Sequence, residues 1–141
     1  SRYRENYIAL KLTEIFIIML RRQKQPQNRR YYYKNKLIND VMNYITHKYN
    51  ENLSLEFLAK KFFISAYYLS HLFKKVTNFN LSEYILNVRL GETLKMLNTK
   101  LSLTEIAERT GFNSANYMSS QFKKKLGLSP QKYRKNLKYK G

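Results

Sequence analysis

The sequence predicts an all-α fold: seven helices arranged as two similar subdomains on a long connecting helix, preceded by one extra N-terminal helix. Three observations predict it. From Lys36 onward apolar residues recur at helical spacing, and no stretch alternates as a half-buried strand does. Gly and Pro, the usual breakers, number only 4 and 2 in 141 residues, so the turns between helices are short. The region from 53 to 84 is echoed by the region from 101 to 133.

The first element is a helix over residues 4–22. Ile8, Leu12, Ile15 and Met19 line one face, and Leu10, Phe16, Ile17, Ile18 and Leu20 widen it. So much apolar surface either packs on the rest of this chain or belongs to a domain that is cut away. The run from Ile15 to Leu20, closed by Glu14 and Arg21, is too short to span a bilayer. Residues 25–34 hold Pro26, Gln25, Gln27, Asn28, Arg29 and Arg30 and are read as a linker. The expected organisation is therefore 1–24 as the terminal helix of a missing sensing or dimerisation domain, 25–34 as linker, and 35–141 as the main domain. That domain divides into 35–80, a connecting helix at 81–98, and 99–137.

Within the main domain, helices are expected at 35–49, 54–61, 65–77, 81–97, 102–110, 114–125 and 129–137. The first has Leu37, Val41, Tyr44, Ile45 and Tyr49 on one face. The next two recur as the fifth and sixth. Leu53-Ser54-Leu55 and Ala59 return as Leu101-Ser102-Leu103 and Ala107, offset by 48. One residue is then added in the turn. Ser65-Ala66, Tyr68, Ser70, Phe73-Lys74-Lys75 and Tyr84 return, offset by 49, as Ser114-Ala115, Tyr117, Ser119, Phe122-Lys123-Lys124 and Tyr133.

Both copies follow one physical plan. Ser54 and Ser102 can cap a short helix, and Glu105 completes a capping box. Ala59 and Ala107 are small where two helices cross. The turns are Phe62-Phe63-Ile64 and Thr110-Gly111-Phe112; Gly111 suits a left-handed residue, with Phe112 plugging the core. A second capped helix starts at Ser65 or Ser114, facing inward with Leu69, Leu72, Phe73 and Val76, or with Met118 and Phe122. Helix, tight turn and helix describe a helix-turn-helix. A helical-repeat scaffold normally needs more than two copies. The connecting helix, about 25 Å long at 1.5 Å per residue, can hold two such units near one turn of B-DNA apart.

Charge points to the same partner. Lys and Arg number 27 against 9 Asp and Glu, a formal charge of +18. Nucleic acid is the first candidate polyanion and an anionic membrane the second. No acid follows Glu108, whereas Lys123, Lys124 and Lys125 sit inside a patterned helix. The absence of Cys excludes thiolate metal sites and disulfides, and His47 and His71 are too few for a histidine cluster. The nine acids are scattered, with no nucleophile–base constellation, so no enzyme, cofactor or metal is expected. A soluble, cytoplasmic protein is expected.

The sequence resembles the AraC family of bacterial transcription regulators over about residues 36–136. The second copy carries most of the likeness: Leu103, Glu105-Ile106-Ala107, Gly111-Phe112, Asn116-Tyr117, Phe122-Lys123-Lys124, Gly127, Ser129-Pro130 and Tyr133-Arg134. The first adds Leu58-Ala59, Ser65, Tyr68-Leu69, Leu72-Phe73-Lys74-Lys75 and Tyr84-Ile85, then Arg89-Leu90. There are departures. Phe63 stands where many members have Gly, so a different turn backbone is expected. Gly91 replaces a better helix former, suggesting close packing or a bend. Thr93 stands at a frequent Ala position, and Met118 at a common Phe position.

The resemblance implies a seven-helix unit that binds double-stranded DNA through its third and sixth helices, regulating transcription with RNA polymerase as a partner. The base-reading positions it implies are Ala66, Tyr67, Ser70 and His71 in the first copy, and Ala115, Asn116, Ser119 and Ser120 in the second. They lack Arg and Gln, the strongest base readers. Asn116 could bond an adenine edge, His71 could donate to guanine, and Tyr67 and the alanines could meet thymine methyls. An AT-rich site with a share of shape readout is expected. Tyr67 could instead pack on its own domain, His71 could be merely solvated, and Ser119 and Ser120 could face phosphates. Phosphate contacts are expected from Lys74, Lys75, Lys123, Lys124 and Arg134, and from the helix starts at Ser54 and Ser102. Six such contacts would give a log–log salt slope of about −5. A non-specific nucleoid protein is the alternative function. Homodimerisation through residues 4–22 or through the missing domain is a further expectation.

Overall fold

The computed structural model describes residues 2–22 and 29–138. Among these it contains eight helices and no strand: α1 (Arg2–Arg22), α2 (Arg29–His47), α3 (Leu55–Lys61), α4 (Ala66–Thr77), α5 (Leu81–Met96), α6 (Leu103–Thr110), α7 (Ala115–Leu126) and α8 (Pro130–Lys138). The seven expected helices are α2 to α8. None of the described helices is long and apolar enough to cross a membrane.

The linker needs correction. Residues 29–34 form the first turns of α2, while 25–28 lie outside the described residues. The breaker chemistry ends before Arg29; nothing in Arg-Arg-Tyr-Tyr-Tyr-Lys opposes a helix.

Serine caps set the starts. The Oγ atoms of Ser54, Ser65, Ser102 and Ser114 accept from the backbone N–H groups of Phe57, Tyr68, Glu105 and Tyr117 at 3.0–3.1 Å. Glu105 Oε2 accepts in return from Ser102 N at 2.9 Å, closing the capping box. A cap of this kind contributes about 1 kcal/mol.

Both turns share one backbone, contrary to the expectation for Phe63. Ile64 N donates to Ala59 O at 3.0 Å, and Phe112 N to Ala107 O at 2.9 Å. Phe63 has φ 58° where Gly111 has φ 86°. The turn bonds hold the left-handed residue whether or not it is glycine, and the Phe63 ring is thrown into solvent, 94% exposed. Such a conformation costs an L-residue about 1–2 kcal/mol.

Two apolar cores result. The first joins Ile38, Val41, Met42 and Ile45 of α2 to Leu58 and Ala59 of α3, Leu69, Leu72 and Phe73 of α4, and Leu81, Tyr84 and Ile85 of α5. The second joins Leu90 and Leu97, at the other end of the connecting element, to Ile106 and Ala107 of α6, Phe112, and Met118 and Phe122 of α7. The α5 helix thus serves both cores, and its 16 residues give a rod of about 24 Å. Ala59 and Ala107 are 4% and 2% exposed, as their place at the helix crossings requires.

The α1 helix divides its apolar residues. Ile8 is buried, and Leu12 and Ile15 are half-buried. They border a groove lined also by Phe79, Leu90, Leu94 and Leu126, on the side of α5 reached by the C-terminal ends of α4 and α7. Leu10, Phe16, Ile17 and Ile18 stay exposed, so only the narrow stripe packs on this chain. The side chains of Met19 and Leu20 lie outside the described residues.

Gly91 also departs from expectation. A Cβ there would meet nothing within 4 Å, so close packing is not its reason, and nothing in the structure explains the glycine. Gly91→Ala is expected to stabilise the chain by up to about 1 kcal/mol by restoring helix propensity. A thermal melt checks this: Tm should rise by a few degrees, and a fall would mean that the position carries a hidden constraint.

Candidate nucleic-acid interface

On α4 the exposed residues Tyr67, His71 and Lys74 follow one another at helical spacing, and on α7 Asn116, Ser120 and Lys123 repeat them at the offset of 49. The inward faces are held by Leu69, Leu72 and Phe73, or by Met118 and Phe122, all buried. Packing therefore fixes which side of each helix looks out. Neither helix contains an acid, whereas each ends in lysines: Lys74 and Lys75, and Lys123, Lys124 and Lys125. The ion pairs Lys11–Glu14, Lys36–Asp40, Lys48–Glu51 and Lys95–Glu92 lie on α1, α2, the α2–α3 turn and α5. The outward stripes are left cationic.

The expected base readers separate into two groups. Tyr67, His71, Asn116 and Ser120 are exposed. Ser70 and Ser119 flank them, half-buried. Ala66 and Ala115 are half-buried against the first and second cores. Tyr67 is 74% exposed and does not pack on its domain; its ring stacks on His71, centroids 3.9 Å apart.

That stack and one hydrogen bond set the chemistry of His71. Its Nδ1 lies 2.8 Å from the Tyr67 carbonyl oxygen, which can only accept. With a proton on Nδ1 this bond is made, and a ring that carries that proton alone presents Nε2 as an acceptor. An acceptor suits the amino group of adenine or cytosine. The guanine contact expected from sequence requires the protonated ring.

The phosphate group also changes. Lys74, Lys75, Lys123 and Lys124 are exposed. Arg134 is half-buried: its Nε donates to Leu97 O at 3.2 Å, at the end of α5, and its Nη2 is enclosed without a hydrogen-bond partner. It ties α8 to the end of the connecting helix and is less available to a phosphate than the exposed lysines. That hydrogen bond spans 37 positions of chain, which no local pattern announces. The Ser54 and Ser102 hydroxyls accept from their own helices and keep an O–H to donate, but their N–H groups are already taken, by Asn52 Oδ1 at 3.2 Å and by Glu105 Oε2 at 2.9 Å. That carboxylate opposes a phosphate there.

Two residues to which the sequence reading gave no role stand out. Phe63 projects from the turn just before α4. Arg89 on α5 donates from Nε to Tyr49 O and from Nη2 to Glu51 O, each at 2.8 Å. A long cation half-way along an otherwise packed helix was the available signal for the second, and an aromatic in place of a turn glycine for the first. Among the described residues no group of acids, histidines or cysteines is placed to hold a metal ion.

Two capped helix pairs on one connecting helix, each turning an acid-free stripe outward, define a double helix-turn-helix protein. A family profile described as a helix-turn-helix domain matches residues 58–136. The Msm operon regulatory protein of Streptococcus mutans is 39% identical over 101 residues, which cover 71% of this chain and 36% of that protein. The C-terminal domain of AraT, a response regulator from Geobacillus stearothermophilus, superposes with a TM-score of 0.69 at 30% identity, over 71% of this chain and 84% of that one. A transcriptional regulator from Chromobacterium violaceum, described as AraC-type, gives a TM-score of 0.65 at 25% identity, over 70% and 89%. The chain belongs to the AraC family of helix-turn-helix transcription regulators. It spans about a third of the length of the first curated relatives that it matches, at 36%, 36% and 35%.

Proposed function

We propose that the chain is a sequence-specific binder of double-stranded DNA that regulates transcription, with α4 and α7 entering successive major-groove segments on one face of the duplex. The observation that carries this reading is the duplicated stripe: Tyr67, His71 and Lys74 against Asn116, Ser120 and Lys123, on two helices carried by a single rod. A merely electrostatic binder has no need of two matched heads with different outward residues. Asn116 reads adenine, the Nε2 of His71 accepts from an adenine or cytosine amino group, and Tyr67 covers thymine methyls. The lysines hold phosphates and set register.

The rest of the organisation follows the same proposal. Residues 35–141 are the reader, and α1 ends a sensing or dimerisation domain. RNA polymerase and a second copy of the chain are partners in a cytoplasmic, nucleoid-associated regulator that activates transcription and carries out no catalysis itself.

Selection from random duplex DNA tests the reading. The expected result is a motif in two halves about 10 base pairs apart. His71→Ala should relax one position in the first half, and Asn116→Ala one in the second, each at a cost of about 1–3 kcal/mol. Four lysine contacts give a log–log salt slope of about −4, less steep than with Arg134 and the helix starts included. Tight, salt-sensitive binding with no enriched sequence would instead establish the non-specific alternative.

A further inference from the structure

The two subdomains have separate cores, yet they meet at one polar point. There, Arg89 of α5 binds the Tyr49 and Glu51 carbonyls of the turn that ends α2. Against the same place rests the α6–α7 turn of the other subdomain. A Cβ on Gly111 would stand 2.6 Å from Tyr49 O and 2.9 Å from Arg89 Nε. The Tyr117 ring, in the first turn of α7, is near enough to act on the guanidinium charge. Burial lowers the pKa of Arg89, and Tyr117 raises it. One side chain therefore touches the end of the first subdomain, the rod, and the turn that leads into the second reading helix.

We propose that Arg89 is a positioning residue that fixes α4 relative to α7 and so sets the half-site spacing the protein accepts. The proposal rests on the two-headed DNA reading above. The physical basis is the fork of the guanidinium, which holds two carbonyls at once in one plane. With those carbonyls fixed, the turn at Gly111 has a hard surface to rest on. Without them, the α2–α3 loop is free to move, and the second subdomain can swing about α5. One base pair of added spacing turns the second half-site by roughly 34° about the duplex axis. A rigid pair of heads must reject that turn, and a loose pair can follow it.

The test uses the full chain and the selected site with its two halves at native spacing, or moved by one or two base pairs. Wild-type protein is expected to lose about tenfold in affinity for each base pair moved. Arg89→Met keeps the aliphatic stem and removes the fork. It should bind the native site about tenfold more weakly, while the native-to-shifted ratio falls to about threefold or less. Arg89→Lys keeps the charge and should fall between the two.

A second readout needs no DNA. The chain has no cysteine, so spin labels at Ser70→Cys and Ser119→Cys report the distance between the reading helices alone. The distribution should be narrow with Arg89 and clearly broadened in both variants. Equal weakening at every spacing, with an unchanged label distribution, overturns the proposal and leaves Arg89 a stabilising residue only. A wild-type protein with no sequence or spacing preference overturns the DNA reading itself; broadening of the label distribution would still establish Arg89 as the joint between the subdomains.

Discussion

Gly111→Ala is expected to destabilise the chain by about 2–5 kcal/mol. Two costs add. The residue sits at φ 86°, where an L side chain pays about 1–2 kcal/mol. The new Cβ would then press within 2.6 Å of the Tyr49 carbonyl oxygen and 3.0 Å of Asn50 Cα, both backbone and unable to step aside as a flexible side-chain end would. Gly127 is the internal control. It too is left-handed, at φ 84°, but nothing lies within 4 Å of its Cβ position. Gly127→Ala should therefore cost only the conformational part, about 1–2 kcal/mol. Urea unfolding of both variants separates strain from collision. Equal losses would mean that the subdomains do not meet at Tyr49 as described.

The contrast between these glycines shows what the sequence can and cannot convey. Caps, helix periods and the repeat are local or pairwise along the chain, so Ser54, Ser65, Ser102 and Ser114 were legible, as were the inward faces of the reading helices. The left-handed turn was legible at Gly111 and misread at Phe63, because backbone hydrogen bonds decide that conformation and the residue type only sets its cost. Contacts between elements far apart in the chain were not legible. Arg89 reaches residues 40 and 38 positions away, and Arg134 reaches back 37, to Leu97. A basic side chain reads as a phosphate contact until the fold shows a carbonyl within its reach. Likewise, the presence of Ala66 and Ala115 on the reading helices could be read, while their half-burial against the cores depends on how each helix is rolled.

Phe122→Ala should be the most damaging of the core truncations, and its damage should be confined. The ring is fully buried, and Tyr133 of α8 meets it edge-on at 5.9 Å between centroids. Removing such a side chain typically costs about 3–5 kcal/mol. The second core is built from fewer buried residues than the first, so it has less to fall back on. Because the buried residues of the two cores share only α5, with the α1 stripe laid along it, loss of packing around Phe122 need not spread past Leu90 into the α2–α4 side. Amide exchange in Phe122→Ala is then expected to lose protection over α6, α7 and α8 while α2 to α4 stay protected. DNA footprinting of the same variant should lose the half-site assigned to Asn116 and keep, weakly, the one assigned to His71. Phe73→Ala, in the larger core and also fully buried, should show the mirror-image pattern. A uniform loss of protection in both variants would mean that the chain unfolds as one cooperative unit. The rod would then do more than hold two independent heads: it would make the folding of each depend on the other.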